Sequence, residues 1–334
     1  MAYTDGILSR AQARLRRRQQ RHWEEQAALR EKIYRELPRA KEIEAQLRAT
    51  APRIVAVSLR QGLEGKEALA ALRRENLALQ DEEAALLDRA GYAVDALDET
   101  PLCPVCGDRG WIGSSMCDCL KSLCREEQIS ELSSMLDLKD QSFDTFRLDY
   151  YDREVPAGAR LSPQENMERV LSFCRTYAEL FETTSYRNLF LSGPPGLGKT
   201  FLSACIARVV SEKGFSVVYD SAPSIFDRFE TRRFAPYGEE TRQADADTRR
   251  YLACDLLILD DLGTEFVSPF IQSALYELIN TRLIENKRTV ISSNLDRAEL
   301  RKRYSPQIVS RLEGSFQLLP FYGKDIRLKL KSKG

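Results

Sequence analysis

At 334 residues the chain is too long for one compact core, and two or three folded units are expected. Its 50 basic and 50 acidic side chains cancel, so net charge singles out neither nucleic acid nor an acidic partner, although local clusters still can. With 43% apolar and 30% charged residues and no apolar run near the ~20 needed to cross a bilayer, the composition excludes a membrane span and suits a cytoplasmic protein.

Residues 6–99 are rich in Arg, Glu, Ala, Leu and Gln, a composition that favours helix. Leu29, Ile33, Leu37, Ala40, Ile43 and Leu47 recur at steps of three and four, one apolar stripe on a helix. Pro38 should kink or divide that helix, and Pro52 and the Gly62/Gly65 pair suggest further breaks. A second helical stretch, about 66–90, ends at Gly91, a candidate C-cap. Residues 1–99 therefore read as a helical hairpin or coiled coil, a scaffold or partner-binding arm rather than a catalytic domain. Arg10, Arg14, Arg16, Arg17, Arg18 and Arg21 form a run without an acid, which suits nucleic acid, an acidic partner or a solvated helix face.

At 100–124 Pro, Gly and Cys replace Ala and Glu. Cys103-Pro-Val-Cys106 and Cys117-Asp-Cys119 place four thiolates close enough in sequence to close a tetrahedral Zn²⁺ site. All four positions would be filled by protein, so the site would be structural, a small zinc knuckle that needs its metal to fold. Cys124 could replace one partner, and an Fe–S cluster is an alternative. A redox pair lacks the surrounding thioredoxin-like pattern. Cys174, Cys205 and Cys254 lie in apolar contexts and read as core thiols. Residues 125–162 read as a linker carrying Ser142-Phe-Asp-Thr-Phe-Arg-Leu-Asp-Tyr-Tyr151.

Over 163–334 short apolar strands alternate with helical segments, the pattern of a parallel sheet with flanking helices. Gly193-Pro194-Pro195-Gly196-Leu197-Gly198-Lys199-Thr200 fits G-x-x-x-x-G-K-[ST] in full, after a strand and before a helix. Its backbone N–H groups and the helix N-terminus suit a phosphate. Lys199 should reach the β- and γ-phosphates of ATP, and the Thr200 hydroxyl should sit on Mg²⁺. The apolar strand Leu256–Leu259 ends in Asp260 and Asp261. Asp260 suits the Mg²⁺ shell and Asp261 the attacking water, with Glu265 a weaker substitute. Asn294 ends the strand from Thr289 and could touch the γ-phosphate or that water. Arg311 resembles an arginine finger, which would stabilise charge on a neighbouring subunit's γ-phosphate, or is an ordinary helix arginine, and Arg327 could sense the phosphates or contact DNA. Arg228, Arg232, Arg233, Arg242, Arg249 and Arg250 interleave with Phe226, Phe229, Phe234 and Tyr237, which suits single-stranded DNA or plain helix packing. The single histidine, His22, leaves His-based catalysis almost no support.

Taken together, GPPGLGKT, LLILDDLGTE, VISSN and VSRLEG resemble, in that order, the DnaC/DnaI helicase loaders and the related IstB transposition ATPases of the AAA+ class. The resemblance covers about 143–330, and CPVCGDRGW…CDCLK is similar to the zinc modules of DnaI-type loaders. It implies that Asp260 and Asp261 correspond to Walker B, Asn294 to sensor 1 and Arg311 to an arginine finger. Most AAA+ proteins carry Glu where Asp261 stands, and Asp reaches one methylene less. It further implies an ATPase that self-associates through an ATP-bridged interface, binds a DnaB-type hexameric helicase through its N-terminal region and admits single-stranded DNA, with hydrolysis for release. Alternatives are an IstB-like transposition helper, which usually lacks the knuckle, and a nucleotide-gated adaptor with negligible hydrolysis.

Overall fold

The computed structural model describes residues 3–58, 63–136, 138 and 141–327. The chain divides into two compact units, one of residues 12–119 and one of residues 1–11 with 120–334.

In the first, α1 (Asp5–Glu36) stops two residues before Pro38, which opens α2 (Pro38–Ser58). A proline at the first helical position loses only an N–H that has no partner there, so it starts the second helix and does not merely bend the first. Pro52, expected to break the helix, lies inside α2. Packing of α2 against α3 (Leu63–Arg89) overrides its local cost. Arg39–Glu82 and Arg53–Glu75 pairs line the hairpin that α2 and α3 form. Ile33, Ala40 and Leu87 form its sealed apolar contact, with Tyr34, Leu37, Tyr92, Ala96 and Leu97 packed around it. Gly91, at φ 77°, ends α3, and Tyr92 N–H closes back on Leu87 O at 2.9 Å. The cysteine segment follows as a short hairpin, β1 (Trp111–Ile112) and β2 (Ser115–Met116).

The other unit is a three-layer α/β fold. After α4 (Asp118–Met135) and a 3₁₀ turn at Leu148–Tyr150 come α5 (Pro163–Glu179), β3 (Leu189–Ser192), α6 (Lys199–Glu212) and β4 (Val217–Ser221). Then follow α7 (Ala222–Phe234), α8 (Glu239–Ala253), β5 (Leu256–Leu262), α9 (Pro269–Ile284) and β6 (Arg288–Ser293). The last elements are α10 (Arg297–Arg303), α11 (Pro306–Ser315) and β7 (Gln317–Pro320). The five long strands are all parallel, in the order β4-β5-β6-β3-β7. Their apolar side chains alternate between two clusters. Leu189, Leu191, Val217, Leu256, Ile258 and Val290 pack with α5 and α6 on one face. Phe190, Val218, Leu257, Leu259 and Ile291 pack with α7, α9 and α11 on the other. The stretch expected as a linker, 125–162, instead supplies core: α4 buries Leu132, and Leu136, Leu138, Phe143 and Tyr151 join the α5/α6 cluster. Tyr3 also belongs here, its hydroxyl donating to Gly214 O at 3.0 Å.

Candidate nucleotide-binding site

The Gly-rich loop runs from the end of β3 into α6, so its backbone turns where the parallel strands end. Gly193 has φ 149°, and a Cβ there would stand 1.9 Å from Phe321 O, so only glycine fits beside the end of β7. At Gly196, φ 75°, a Cβ would lie 1.8 Å from the Asp325 carboxylate, and Ile326 N–H donates to Gly196 O at 3.1 Å. The segment after β7 therefore lies directly against the phosphate loop.

Lys199 is buried, and its ammonium donates to Gly193 O (2.5 Å), Pro194 O (2.8 Å) and Asn294 Oδ1 (2.7 Å). Burial pushes its pKa down to about 8, against the upward pull of Asp261 and Asp260, and the Arg327 guanidinium lowers it further. Thr200 Oγ1 donates to Asp260 Oδ2 at 3.1 Å. Asp260 is 3% exposed and also accepts from Tyr219 OH (2.7 Å) and from the Ser292 hydroxyl. Two hard oxygen donors, Thr200 Oγ1 and Asp260 Oδ2, thus face each other in a set that fits Mg²⁺. Asp261 sits in the left-handed region at φ 56°, beside a register shift between Leu259 and Leu262. Its own N–H donates to Ser292 Oγ (2.9 Å). Burial and the neighbouring Asp260 raise its pKa, while Lys199 and Arg327 oppose them. Because β6 lies between β3 and β5, Asn294 at its end stands between the phosphate loop and the acidic pair.

Glu265 is committed elsewhere: it accepts from Gly263 N–H at 2.8 Å and from the Tyr304 hydroxyl. Arg311 lies on α11, held by α9: Nε donates to Asn280 Oδ1 and Nη2 to Tyr276 OH, each at 2.9 Å. Tyr151 and Phe146 escaped the motif reading. Tyr151 OH donates to Leu197 O at 2.9 Å, and a Cβ on Gly198 would meet Tyr151 OH at 3.1 Å and Phe146 at 3.2 Å. The stretch 142–151 read as the end of a linker and, by resemblance, as the entry to the ATP-binding domain, and neither reading gave these two side chains a role. The arginine and aromatic cluster separates in two. Phe226 and Phe229 are core, and Arg228, Arg232 and Arg249 pair with Asp247 or Asp245. Arg250 pairs with Glu131. Phe234, 67% exposed, and Tyr237, 85% exposed under Arg242, remain open.

In the other unit, the sulfurs of Cys103, Cys106, Cys117 and Cys119 lie within 4.8 Å of one another. Cys103–Cys117 and Cys106–Cys119 stand 3.8 and 3.5 Å apart. A tetrahedral Zn–S₄ site at about 2.3 Å requires sulfur separations of about 3.8 Å, so the four could hold a metal with small adjustment. Gly110 N–H donates to Cys106 Sγ at 3.3 Å, and Asp108 accepts from Leu102 and Cys103 N–H at 3.0 and 2.7 Å. Backbone N–H groups of Cys106 and Val105, with the neighbouring thiols, bring the Cys103 thiol down to about 7. Cys124 is buried in α4 and is not one of the four.

A parallel sheet bearing a complete phosphate loop, with an acidic pair one strand removed and a polar amide on the strand between, defines a P-loop ATP-binding domain. Residues 171–333 match the model of the IstB-like ATP binding protein family, and this stretch of the chain is an IstB-like ATP-binding domain. A protein of Sinorhizobium fredii, described as an insertion sequence ATP-binding protein, is 31% identical over 107 residues, 32% of this chain and 34% of its own. A chromosomal replication initiator protein DnaA of Protochlamydia amoebophila is 27% identical over 129 residues, 39% of this chain and 27% of its own. The chain thus spans about a third or less of the curated relatives it matches. Among solved structures, the DnaC helicase loader aligns at 21% identity over 56% of this chain and 99% of that chain, TM-score 0.43. DnaI aligns at 20% identity over 57% and 93%, TM-score 0.42. Among the described residues no helix is long and apolar enough to cross a membrane.

Proposed function

We propose that this chain is an ATP-hydrolysing assembly factor of the helicase-loader kind. The observation that carries it is the pocket in which Lys199, Thr200, Asp260, Asp261 and Asn294 converge on one phosphate loop. ATP would be held by the loop amides and the Lys199 ammonium. Thr200 and Asp260 would hold Mg²⁺, which would supply positive charge against the triphosphate. Asp261 would accept the proton of the attacking water. Asn294 would position that water, and Arg311 would serve the site of a second copy, so that ATP bridges subunits. The exposed Tyr237 and Phe234 would take single-stranded DNA. The α2/α3 hairpin and the Cys103/Cys106/Cys117/Cys119 site, filled by Zn²⁺, would face a DnaB-type replicative helicase. Their presence ahead of the ATP-binding domain supports the loader. The family match and the Sinorhizobium fredii relative favour a second reading, an IstB-like helper that assembles on duplex DNA and recruits a transposase.

The test is ATP turnover by the full chain with and without single-stranded DNA, beside Lys199→Ala, together with capture of partners from lysate by the tagged full chain. DNA-stimulated turnover lost in the variant, with a replicative helicase recovered, supports the loader. A recovered transposase overturns it in favour of the second reading. Equal, near-zero rates in both proteins leave a nucleotide-gated adaptor.

A further inference from the structure

Tyr276 and Asn280, we infer, form a cradle that holds the Arg311 guanidinium oriented and un-neutralised for the terminal phosphates carried by a second copy of this chain. This deepens the ATP-bridged assembly proposed above and rests on it. Tyr276 and Asn280 stand one turn apart on α9 and so share a helix face. That face meets α11, where Arg311 Nε donates to Asn280 Oδ1 and Nη2 to Tyr276 OH, each at 2.9 Å. The guanidinium carbon also lies 4.8 Å from the centre of the Tyr276 ring. Two bonds and a ring contact fix a planar group in orientation.

All three contacts are to uncharged groups. An amide oxygen, a phenol oxygen and an aromatic face attract a cation without cancelling its charge. Several exposed arginines of this unit take carboxylates instead: Arg301 on α10 takes Glu313 at 2.9 and 3.1 Å, and Arg228, Arg232 and Arg249 take Asp247 or Asp245, while the buried Arg282, like Arg311, is held by uncharged acceptors. The acid two residues beyond Arg311 is thereby already engaged. A guanidinium has five donors, and among the described residues two are used here, so the rest remain for phosphate oxygens. The cleft that Tyr276 also lines, with Pro269, Gln272, Ser273, Ser305 and Gln307, carries no carboxylate to repel a triphosphate. Pre-ordering the side chain removes rotamer entropy that it would otherwise lose on engaging the anion.

The test uses the full chain and four variants, Arg311→Ala, Asn280→Ala, Tyr276→Phe and Asn280→Asp, reading nucleotide affinity, maximal turnover against protein concentration, and melting temperature. Arg311→Ala should lower turnover roughly a hundredfold or more with affinity for ATP in dilute protein unchanged. Asn280→Ala and Tyr276→Phe should each lower it by about three- to thirtyfold, in kcat and not in KM. Asn280→Asp keeps an acceptor at the same place but adds a neutralising charge. It should melt like the wild type yet lose turnover as deeply as Arg311→Ala. Mixing it with Lys199→Ala, which has an intact Arg311 but no working ATP site, should restore activity in trans. If Asn280→Asp or both single deletions turn over like wild type while Arg311→Ala does not, the cradle is overturned and the bridged assembly stands. If Arg311→Ala itself is fully active, the bridged assembly falls and the cradle with it.

Discussion

Asn294 Oδ1 accepts a hydrogen bond from the Lys199 ammonium at 2.7 Å, joining the end of β6 to the phosphate loop. The same lysine also donates to two loop carbonyls. A triphosphate offers the ammonium stronger, charged acceptors and releases the Asn294 amide to a water or phosphate oxygen. Lys199→Ala should therefore raise the dissociation constant for ATP about a hundredfold or more. Asn294→Ala should leave it within about threefold and lower maximal turnover by about 10²–10³, the usual cost of one transition-state donor. Fluorescent-nucleotide titration and phosphate release separate the two. Loss of binding in Asn294→Ala would make the amide a structural prop for Lys199.

The cysteine geometry makes a stoichiometric prediction. Purified protein should contain one zinc per chain. Cys106→Ser should lose it, because three thiolates leave an open position and a weaker site. Cys124→Ser should keep it, since Cys124 is buried in α4 away from the four. Trp111 in the β1/β2 hairpin reports the difference: chelation should red-shift its emission and Cys124→Ser should not. Zinc retained by Cys106→Ser would assign the site to another ligand set.

The phosphate loop and the acidic pair stand out in the sequence because each is a run of adjacent residues, and the cysteines because two close pairs lie near each other; the structure brings each group together. The strands were legible for the same reason, as apolar runs ending in polar residues. What was hidden lay in contacts between distant segments. Residues 142–151 read as the end of a linker and, by resemblance, as the entry to the ATP-binding domain, but nothing in their own sequence says what Phe146 and Tyr151 pack against. They pack onto Leu197 and Gly198 only once the sheet exists. Glu265 was a candidate for the water until Tyr304, far along the chain, was seen to hold it. Pro52 failed as a helix breaker because tertiary packing outweighed its local cost.

Asp255, at the start of β5, fastens three strands. It accepts Ser216 N–H at 3.0 Å and Ser216 Oγ at 2.8 Å ahead of β4, and Lys287 Nζ at 3.0 Å ahead of β6. Burial alone would raise its pKa, but these bonds win and hold it below the usual carboxylate value. A depressed folded-state pKa gives stability that is complete above the unfolded value of about 4 and is lost as pH falls through the folded one. Asp255→Asn should cost about 1–2 kcal/mol at pH 7 and flatten the decline in stability below about pH 4. Urea unfolding at pH 7 and pH 3 measures both. An unchanged slope below pH 4 would show that other carboxylates dominate acid unfolding.

Arg282 on α9 is 1% exposed and has no carboxylate partner among the described residues. It binds the carbonyls of Tyr251, Leu252 and Cys254, where α8 ends, at 2.6, 3.1 and 3.1 Å, together with Arg288 O at 2.5 Å and Thr289 Oγ1 at 3.0 Å. The negative end of a helix dipole and a ring of carbonyls replace the missing anion. Arg282→Met keeps most of the volume but leaves those acceptors unmet, so it should cost about 3 kcal/mol and lower the melting temperature by roughly 6–12 °C. ATP affinity in the cold should persist, because nothing in the phosphate pocket touches this residue. A melting temperature within about 2 °C of wild type would mean that the carbonyls find other donors.

The basic and aromatic residues of α7 and α8 make the last prediction selective. Arg249 is engaged by Asp245, and Phe229 is core, so neither is available to a strand. Tyr237 is 85% exposed with the Arg242 guanidinium 5.9 Å from its ring centre, and Phe234 is 67% exposed against Phe270. A solvent-facing ring beside a cation can stack a base and hold its phosphate together, worth about 1–3 kcal/mol per base. Tyr237→Ala should weaken binding of a labelled oligo(dT) by roughly 5- to 150-fold. Arg242→Ala should weaken it and also reduce the salt slope by about 0.7, as one phosphate contact is lost. Arg249→Ala should do little. Anisotropy titrations at several salt concentrations with ATP present read all three. Wild-type affinity in a Tyr237→Ala/Arg242→Ala double variant would move the DNA contact off this hairpin, whatever the fate of the ATP site.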